Sequence, residues 1–182
     1  MLNNRFLALA LLLGLAAPLA HAEKADRDKP IQITANKGFL DQIKGVTEWD
    51  GDVVIVQGTL LIHADHVRVT QDAKGNQVMV GTGRIVTFRQ KADDTPDHKN
   101  VWIEGQASRI DYNTIDHTAV LTSNARVKKG TDLLIGDVIT YNTETQIYQS
   151  QGGGANTVNK GRVTVILQPQ KQKASDGSSN KP

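Results

Sequence analysis

Segments with the character of β-strands recur about every ten residues along most of this chain, and this rhythm limits the folds available to it. The segments are rich in Val, Ile and Thr, and Gly, Asn or Asp separates each one from the next. Beyond residue 22, no stretch keeps a helical period for more than one or two turns. We therefore expect an all-β fold, with at most a single helical turn at 37–39.

The individual strands follow from the alternation of apolar and polar residues between turn signals. Residues 78–90 are expected to form a pair of short strands, because glycines interrupt the pattern. Residues 71–77 predict a turn with Gly75 and Asn76 at its tip, and residues 91–100 predict a long polar loop. The other predicted strands lie within 31–34, 47–58, 60–70, 101–105, 107–113, 118–130, 132–142, 145–150 and 161–169.

One pattern occurs twice: GTLLIHAD at 58–65 and GTDLLIGD at 130–137. Both copies begin with Gly-Thr, carry apolar residues at the fourth and fifth positions, and end in an Asp. Asp65 and Asp137 each follow a small residue, where a strand would end or bend and where a carboxylate can accept backbone N–H bonds. The repeat therefore predicts one architectural unit used twice, in a ribbon of β-hairpins.

The strand alternation also predicts the two faces of the sheet. Leu60, Ile62 and Ala64 share one face of their strand, and Val86 and Phe88 share one face of theirs. An apolar sheet face needs a second sheet, a lipid or a partner to cover it. With only two Trp, three Tyr and three Phe in the chain, the interior is expected to be aliphatic, which suits acyl chains better than stacked sugars or bases.

The two ends of the chain differ from the middle. Residues 1–22 have Arg5 near the start, an apolar run at 6–17 and the sequence Ala-His-Ala before position 23, as in a cleaved secretory signal peptide. The alternative is an uncleaved membrane anchor, for which the apolar run is short. We expect one domain at 23–169, opening with a flexible charged lead-in at 23–30, and a disordered polar tail at 170–182.

The sequence contains no convincing catalytic or metal-binding motif. His63 and Asp65 share a strand face, but His66 points away and no third ligand is evident. The sequence Asp116-His117 has no nearby Ser motif, and GGGA at 152–155 lacks the end of a phosphate loop. We therefore expect no enzymatic activity, no metal and no cofactor.

Charge and cysteine content narrow the class of protein further. The 182 residues include 21 Lys and Arg against 19 Asp and Glu, a balance that argues against a nucleic-acid partner. The chain has no Cys, so an exported form would have no disulfide framework, and its stability would come from packing and strand pairing.

Several stretches together resemble the LptA (OstA-like) family of periplasmic lipopolysaccharide-export proteins. The resemblance covers about 29–169, and its order and spacing are more specific than any single piece. The match is loose at 91–100, and the Gly-rich stretch before NKGRV (159–163) leaves the register of the last strand open. The stretches are KPIQITA (29–35), GDVVIVQGTLLIHADHVRVT (51–70), GTGRIVTFRQ (81–90), EGQASRIDY (104–112), LTSNARV (121–127), IGDVITYN (135–142) and GRVTVILQP (161–169).

The resemblance implies a fold, a location and partners. It implies an open, twisted β-jelly roll of antiparallel strands, with a V-shaped apolar channel for the lipid A acyl chains of lipopolysaccharide. It also implies a protein of the periplasm that joins head to tail with its own copies. The edge strands at 31–34 and 163–169 would meet an inner-membrane LptC-type protein and an outer-membrane LptD-type translocon.

The same resemblance suggests which residues contact the lipid. Each of them could instead belong to a sealed core, since a core uses the same residue types. Arg27, Arg68 and Arg84 are candidates to meet lipid A phosphates. The implied lipid-binding residues are Ile31, Ile33, Val53, Ile55, Leu60, Ile62, Val67, Val69 and Phe88.

Two other functions remain open at the level of sequence. A membrane-tethered scaffold similar to LptC would keep its N-terminal helix, which the Ala-His-Ala site argues against. A periplasmic glycan-binding module or glycan-active enzyme would need aromatic platforms and convergent carboxylates. Trp49 and Trp102 are the only tryptophans, and each lies in a strand-like pattern beside apolar residues.

Overall fold

A computed structural model describes residues 26–95, 99–153 and 161–169 of the protein. The predicted signal peptide (1–22) and polar tail (170–182) lie outside the described residues, as do residues 154–160, which include half of the GGGA stretch. Among the residues that are described, no helix is long and apolar enough to cross a membrane.

The regular structure of the described residues consists of β-strands, which confirms the all-β prediction. The six strands β3–β8 are long, and short turns join them except between β5 and β6, where residues 92–95 and 99–101 of the connection are described. The strands are β1 (Gln32–Thr34), β2 (Lys37–Asp41), β3 (Val46–Gln57), β4 (Leu60–Gln71), β5 (Gln77–Lys91), β6 (Trp102–Asn113), β7 (Thr118–Lys129), β8 (Asp132–Asn142), β9 (Ile147–Gln151) and β10 (Thr164–Ile166).

Three predicted elements differ from the observed ones. Residues 78–90 belong to the single strand β5, and 101–113 fall almost entirely within the single strand β6. The glycines at 81 and 83 therefore do not end a strand. Residues 37–39 form part of β2 rather than a helical turn, because they pair with β3, where Lys37 lies opposite Asp50.

All ten strands belong to one antiparallel sheet. From β3 to β8, each strand pairs with the next one in the chain, as expected for a ribbon of hairpins. At one end of the sheet, β1 pairs with 54–56 of β3 and β2 pairs with 46–50. At the other end, β10 pairs with 133–135 of β8 and β9 pairs with 138–142.

A row of β-bulges crosses the sheet near the middle of the long strands, and we call it the bulge row. An extra residue on one strand bends that strand and increases its twist. The register shifts lie between 50 and 53 on β3, 63 and 66 on β4, 82 and 86 on β5, 106 and 109 on β6, 122 and 125 on β7, and 136 and 138 on β8.

The bulge row divides the sheet into two walls that face each other. Wall A contains the strand halves that meet at the 58–59 and 130–131 turns, together with β1 and β10. Wall B contains the halves that meet at the 72–76, 114–117 and 143–146 turns, together with β2 and β9. The structure is therefore an open, V-shaped β-jelly roll, and the turns of the two walls form its two lips.

The backbone at the bulge row explains the repeated Asp. Gly51 and Asp52 have φ values of 77° and 47°, and Ser123 and Asn124 have values of 64° and 56°, so the bends use left-handed backbone. The carboxylate of Asp65 accepts the Arg84 backbone N–H at 2.9 Å. The expectation that this Asp binds backbone at a bend is confirmed for Asp65, and Asp137 occupies the bulge position of β8.

The hydrophobic core follows the inside of the bulge row. Its residues flank the bulges on both walls, where small side chains alternate with larger aliphatic ones and let the walls approach closely. The buried residues next to the bulges are Val53, Ala64, Val67, Val86, Ala107, Ile110, Leu121, Ala125 and Ile139.

Replacing Asp65 with Ala should destabilise the bend. The change removes the acceptor of the Arg84 N–H, and we expect the free energy of unfolding to fall by about 1 kcal/mol. Asp65→Asn keeps an amide oxygen that can accept the same bond, so its loss should be smaller. Urea unfolding of the three proteins measures the difference, and equal losses in both variants would contradict the role assigned to this hydrogen bond.

Candidate functional site

The inner face of wall A carries one continuous row of apolar side chains. Ile33, Ile55, Ile62 and Phe88 lie directly opposite one another on β1, β3, β4 and β5. Side chains at opposed positions of neighbouring strands share a face and lie within contact distance. The row continues through Gly105, Val127, Leu134 and Val165 on β6, β7, β8 and β10.

The inner face of wall B carries a matching row that includes aromatic residues. Tyr141 stacks on Tyr148 with ring centroids 4.3 Å apart and an interplanar angle of 13°. The two rings form a flat apolar surface at the β8–β9 edge of the wall. The row runs across the wall as Val69, Met79, Tyr112, Ala119, Tyr141 and Tyr148.

Between the two walls lies an apolar groove with a cavity of about 120 Å³. An engineered apolar cavity of about 150 Å³ is large enough for benzene, so this space can hold part of an alkyl chain but not several whole chains. Its polar lining residues lie at the lips of the V. The lining consists of Leu60, Ile62, Val67, Met79, Gly81, Val86, Phe88, Ile110, Tyr112, Ala119 and Tyr141, with Asp26, Arg27, Gln57, Gln90 and Thr143 at the lips.

The structure brings four of the nine suggested lipid-binding residues to this cavity: Leu60, Ile62, Val67 and Phe88. Val53 and Ile55 are buried in the core, and Ile33 and Val69 pack against it. Ile31 precedes β1 and is 54% exposed.

The sequence predicted more of the groove-lining residues on wall A than on wall B. Met79, Tyr112, Ala119 and Tyr141 line the cavity and were not singled out as site residues. Each follows the alternation of its own strand, so the signal was present in the sequence. What the sequence lacked was the evidence that these strand halves face Phe88 across a groove.

The predicted flexible lead-in also belongs to the site. Residues 26–30 form a turn in which Lys29 N–H donates to the Asp26 carbonyl at 3.0 Å, and Asp26 is only 5% exposed. The prediction of a flexible segment was wrong for these residues. Three lip side chains, from Gln57, Thr59 and Gln90, hold them in place.

The Phe88 ring occupies the space above Gly105. The two residues are directly opposed on β5 and β6, and a Cβ atom at position 105 would overlap the ring. A glycine opposite an aromatic ring lets the ring cover the backbone of the neighbouring strand. Gly105 therefore fixes the position of the one Phe in the groove lining.

Of the three arginines suggested for phosphate binding, one lies at the groove. Arg27 is at the lip, where its guanidinium donates to the Thr143 hydroxyl at 3.0 Å. Arg68 pairs with Glu48 at 2.6 Å on the outer face of wall B. Arg84 is exposed at the bulge row.

Two carboxyl groups with lowered pKa values lie in loops outside the groove. The Asn76 side chain donates to Asp72 and lowers the pKa of that carboxyl, in the β4–β5 turn. The backbone N–H of Asn100 lowers the pKa of Asp94, in the β5–β6 loop. Both shifts are explained by local loop structure rather than by a reactive centre.

The candidate metal residues also lie away from the groove. His63 is exposed, and the imidazole of His66 bonds the Asp50 carboxylate at 2.6 Å. No group of three or more His, Cys, Asp and Glu side chains in the described ranges is arranged to hold a metal ion.

The chain matches a known family over most of the sheet. The model of the family described as LptA/(LptD N-terminal domain) LPS transport protein matches residues 32–147. Lipopolysaccharide export system protein LptA of Haemophilus influenzae is 31% identical over 97% of this chain and 98% of that protein. Lipopolysaccharide export system protein LptA of Escherichia coli K12 is 34% identical over 90% of this chain and 84% of that protein.

The fold is similar to that of a solved structure. The crystal structure of LptH from Pseudomonas aeruginosa, described as the LptA-homologous periplasmic component of the lipopolysaccharide transport device, matches with a TM-score of 0.69. The two chains are 27% identical, and the match covers 79% of this chain and 99% of the other.

Replacing Gly105 with Ala should displace the Phe88 ring. The added methyl group occupies the space of the ring, and overpacking of this kind destabilises a protein by about 1–3 kcal/mol. Gly81→Ala is a matched control, because Gly81 is another buried strand glycine whose new Cβ would meet Val86 at an ordinary 3.5 Å. Thermal unfolding compares the two, and equal melting temperatures would contradict the packing described here.

Proposed function

The chain belongs to the LptA/LptD N-terminal domain family of lipopolysaccharide transport proteins, and we propose that its groove carries lipopolysaccharide across the periplasm. The acyl chains of lipid A would lie between walls A and B, and the sugar head would remain in water. The observation that carries the proposal is the apolar groove between two walls of a single open sheet. Family membership supports the choice of lipopolysaccharide among amphipathic ligands.

The free energy of burying an acyl chain suits a groove that carries lipid rather than one that stores it. A chain of a dozen CH₂ groups gains about 10 kcal/mol on leaving water for an apolar groove, at roughly 0.8 kcal/mol per CH₂. In a membrane the same chain is already buried, so its transfer into the groove is nearly neutral. The groove would therefore shield the lipid from water without holding it irreversibly.

The residues proposed to contact the acyl chains are those with side chains on the inner faces of the walls. Leu60, Ile62, Val67 and Phe88 have the strongest support, because they line the cavity. Ile33, Ile55 and Val69 would contact the lipid farther from the bulge row, and Val53 would do so at the floor of the groove. Ile31 would do so next to the β1 edge.

The two ends of the sheet are proposed to join copies of the protein head to tail. The edges of wall A are β1 and β10, and exposed edge strands accept a further strand through main-chain hydrogen bonds. Val165 and Ile166 on β10 are 53% and 45% exposed. Such a row would continue the groove from an LptC-type inner-membrane protein to an LptD-type translocon.

A photo-crosslinking amino acid at position 88 should capture lipopolysaccharide in growing cells. The Phe88 side chain lines the groove, whereas Thr87 points to the opposite face of wall A and provides the control. We expect adducts at 88 and few at 87, measured by immunoblotting for lipopolysaccharide. A folded, exported protein without adducts at 88 would indicate a sealed core and would favour the scaffold function.

Lysine at position 165 should weaken head-to-tail association. A charge on an exposed edge strand opposes the addition of another strand, and we expect association about tenfold weaker, or about 1.4 kcal/mol. Ile115→Lys is the control, because Ile115 is 64% exposed but lies in the β6–β7 turn. Light scattering over a range of protein concentrations measures both variants, and equal association would argue against the β10 edge.

A further inference from the structure

The segment at residues 26–30, which we call the strap, crosses the mouth of the V from one lip to the other. The mouth is the long side of the groove, opposite the bulge row. Asp26 and Arg27 line the cavity from this side. The strap therefore lies where a lipid would enter if it came from the side rather than from an end.

Asp26 fastens the strap to the lip of wall A. One carboxylate oxygen accepts the Thr59 backbone N–H at 2.8 Å. The other accepts the Thr59 hydroxyl at 2.5 Å and the Gln90 side-chain amide at 3.0 Å. The Gln57 side chain adds two bonds of 3.1 Å, to the carbonyl oxygens of Arg27 and Lys29.

Arg27 fastens the strap to the lip of wall B. Its guanidinium reaches the Thr143 hydroxyl at 3.0 Å, in the turn after β8. The Thr143 backbone N–H and hydroxyl both donate to the His117 carbonyl, at 2.8 Å and 3.2 Å, which ties this turn to its neighbour. A chain of hydrogen bonds thus connects the lips of the two walls through the strap.

The contacts of the strap are polar, which favours a strap that can detach from the lips. The strap sequence is Asp-Arg-Asp-Lys-Pro, so hydrogen bonds rather than apolar burial hold it in place. The Asp26 carboxylate is nearly buried, and its three donors are all neutral. A buried carboxylate with neutral partners loses much of its hydration. Opening would return Asp26 to water, which offsets part of the loss of its hydrogen bonds.

The two copies of the Gly-Thr turn differ in their contact with the strap. Gly58 and Gly130 have the same φ of 60°, as turn geometry requires. A Cβ atom at position 58 would overlap the Asp26 carboxylate, whereas one at position 130 would meet Val101 at 3.6 Å. The turn at 58–59 therefore also binds the strap, and we call it the catch.

We infer that the strap is a latch that closes the mouth of the groove and must open for an acyl chain to enter from the side. The inference rests on the proposed function, and it adds a route of entry and a regulated step. With the strap closed, the cavity of about 120 Å³ is too small for a whole acyl chain. Opening of the strap removes part of the cavity lining and exposes the groove along its length.

The test exploits the absence of Cys from the chain. In the double variant Asp26→Cys and Thr59→Cys, a disulfide would replace the short hydrogen bond between these side chains and lock the strap. Reduction of the same protein would leave the strap without its carboxylate anchor. The probe is purified rough-type lipopolysaccharide with a fluorophore on its sugar head, and the readout is its association rate by fluorescence anisotropy.

We expect association about tenfold faster for the reduced variant than for wild type, on the scale of one lost charge-assisted hydrogen bond, and slower for the oxidised variant than for either. Wild type, which has no thiol, should not respond to reductant. Equal rates in the two redox forms would overturn the latch and indicate entry through the ends of the groove. If wild type and both forms fail to bind lipopolysaccharide, the proposed function is overturned, and the latch with it.

A second pair of variants tests the catch without a disulfide. Thr59→Val removes the hydroxyl that donates to Asp26 and accepts the Lys91 backbone N–H at 3.0 Å, and Thr131→Val removes the hydroxyl at the equivalent position of the second copy. We expect faster association for the change at 59 and no effect at 131. Equal rates for both variants would overturn the assignment of Thr59 as the catch.

Discussion

The bend of every long strand at the same level is the feature on which the rest of the structure depends. A sheet of such strands that did not bend would have one apolar face with nothing to cover it. The bulge row folds this face onto itself, so that one sheet supplies both walls of the groove. Ala64, Ala107 and Ala125 next to the bulges keep the fold line narrow, and larger side chains fill the remaining space.

A sheet folded in this way is open along the mouth and at its two ends, and the groups exposed at the mouth differ from those at the ends. At the mouth, the polar strap joins the two lips through Asp26 and Arg27. At the two ends, the short strands β1, β2, β9 and β10 leave backbone groups that can pair with another strand. The proposed entry of the ligand and the proposed head-to-tail association would therefore use different parts of the same sheet.

Local sequence predicted most strands well, and it failed where a glycine or a charge had a tertiary role. The limits of β8 agree with the predicted 132–142, since its alternation is regular and turns bound it on both sides. β5 was predicted as two strands, because Gly81 and Gly83 resemble a break; pairing with β4 and β6 keeps the strand continuous through a bulge. The lead-in was predicted to be flexible, because a charged segment has no apolar side chain to bury.

The sequence by itself determined the strands, their inward faces and the structural use of Asp65, because alternation, turn residues and backbone capping are local properties of the chain. The family resemblance added Ile33, Ile55, Ile62 and Phe88 as candidates for the inward face, without placing them in one row. Only the tertiary structure decided that Met79 and Tyr141 face that row across a groove, and that Asp26 closes the groove. These contacts join residues far apart in the chain, and they exist only once the bulges have brought the two walls together.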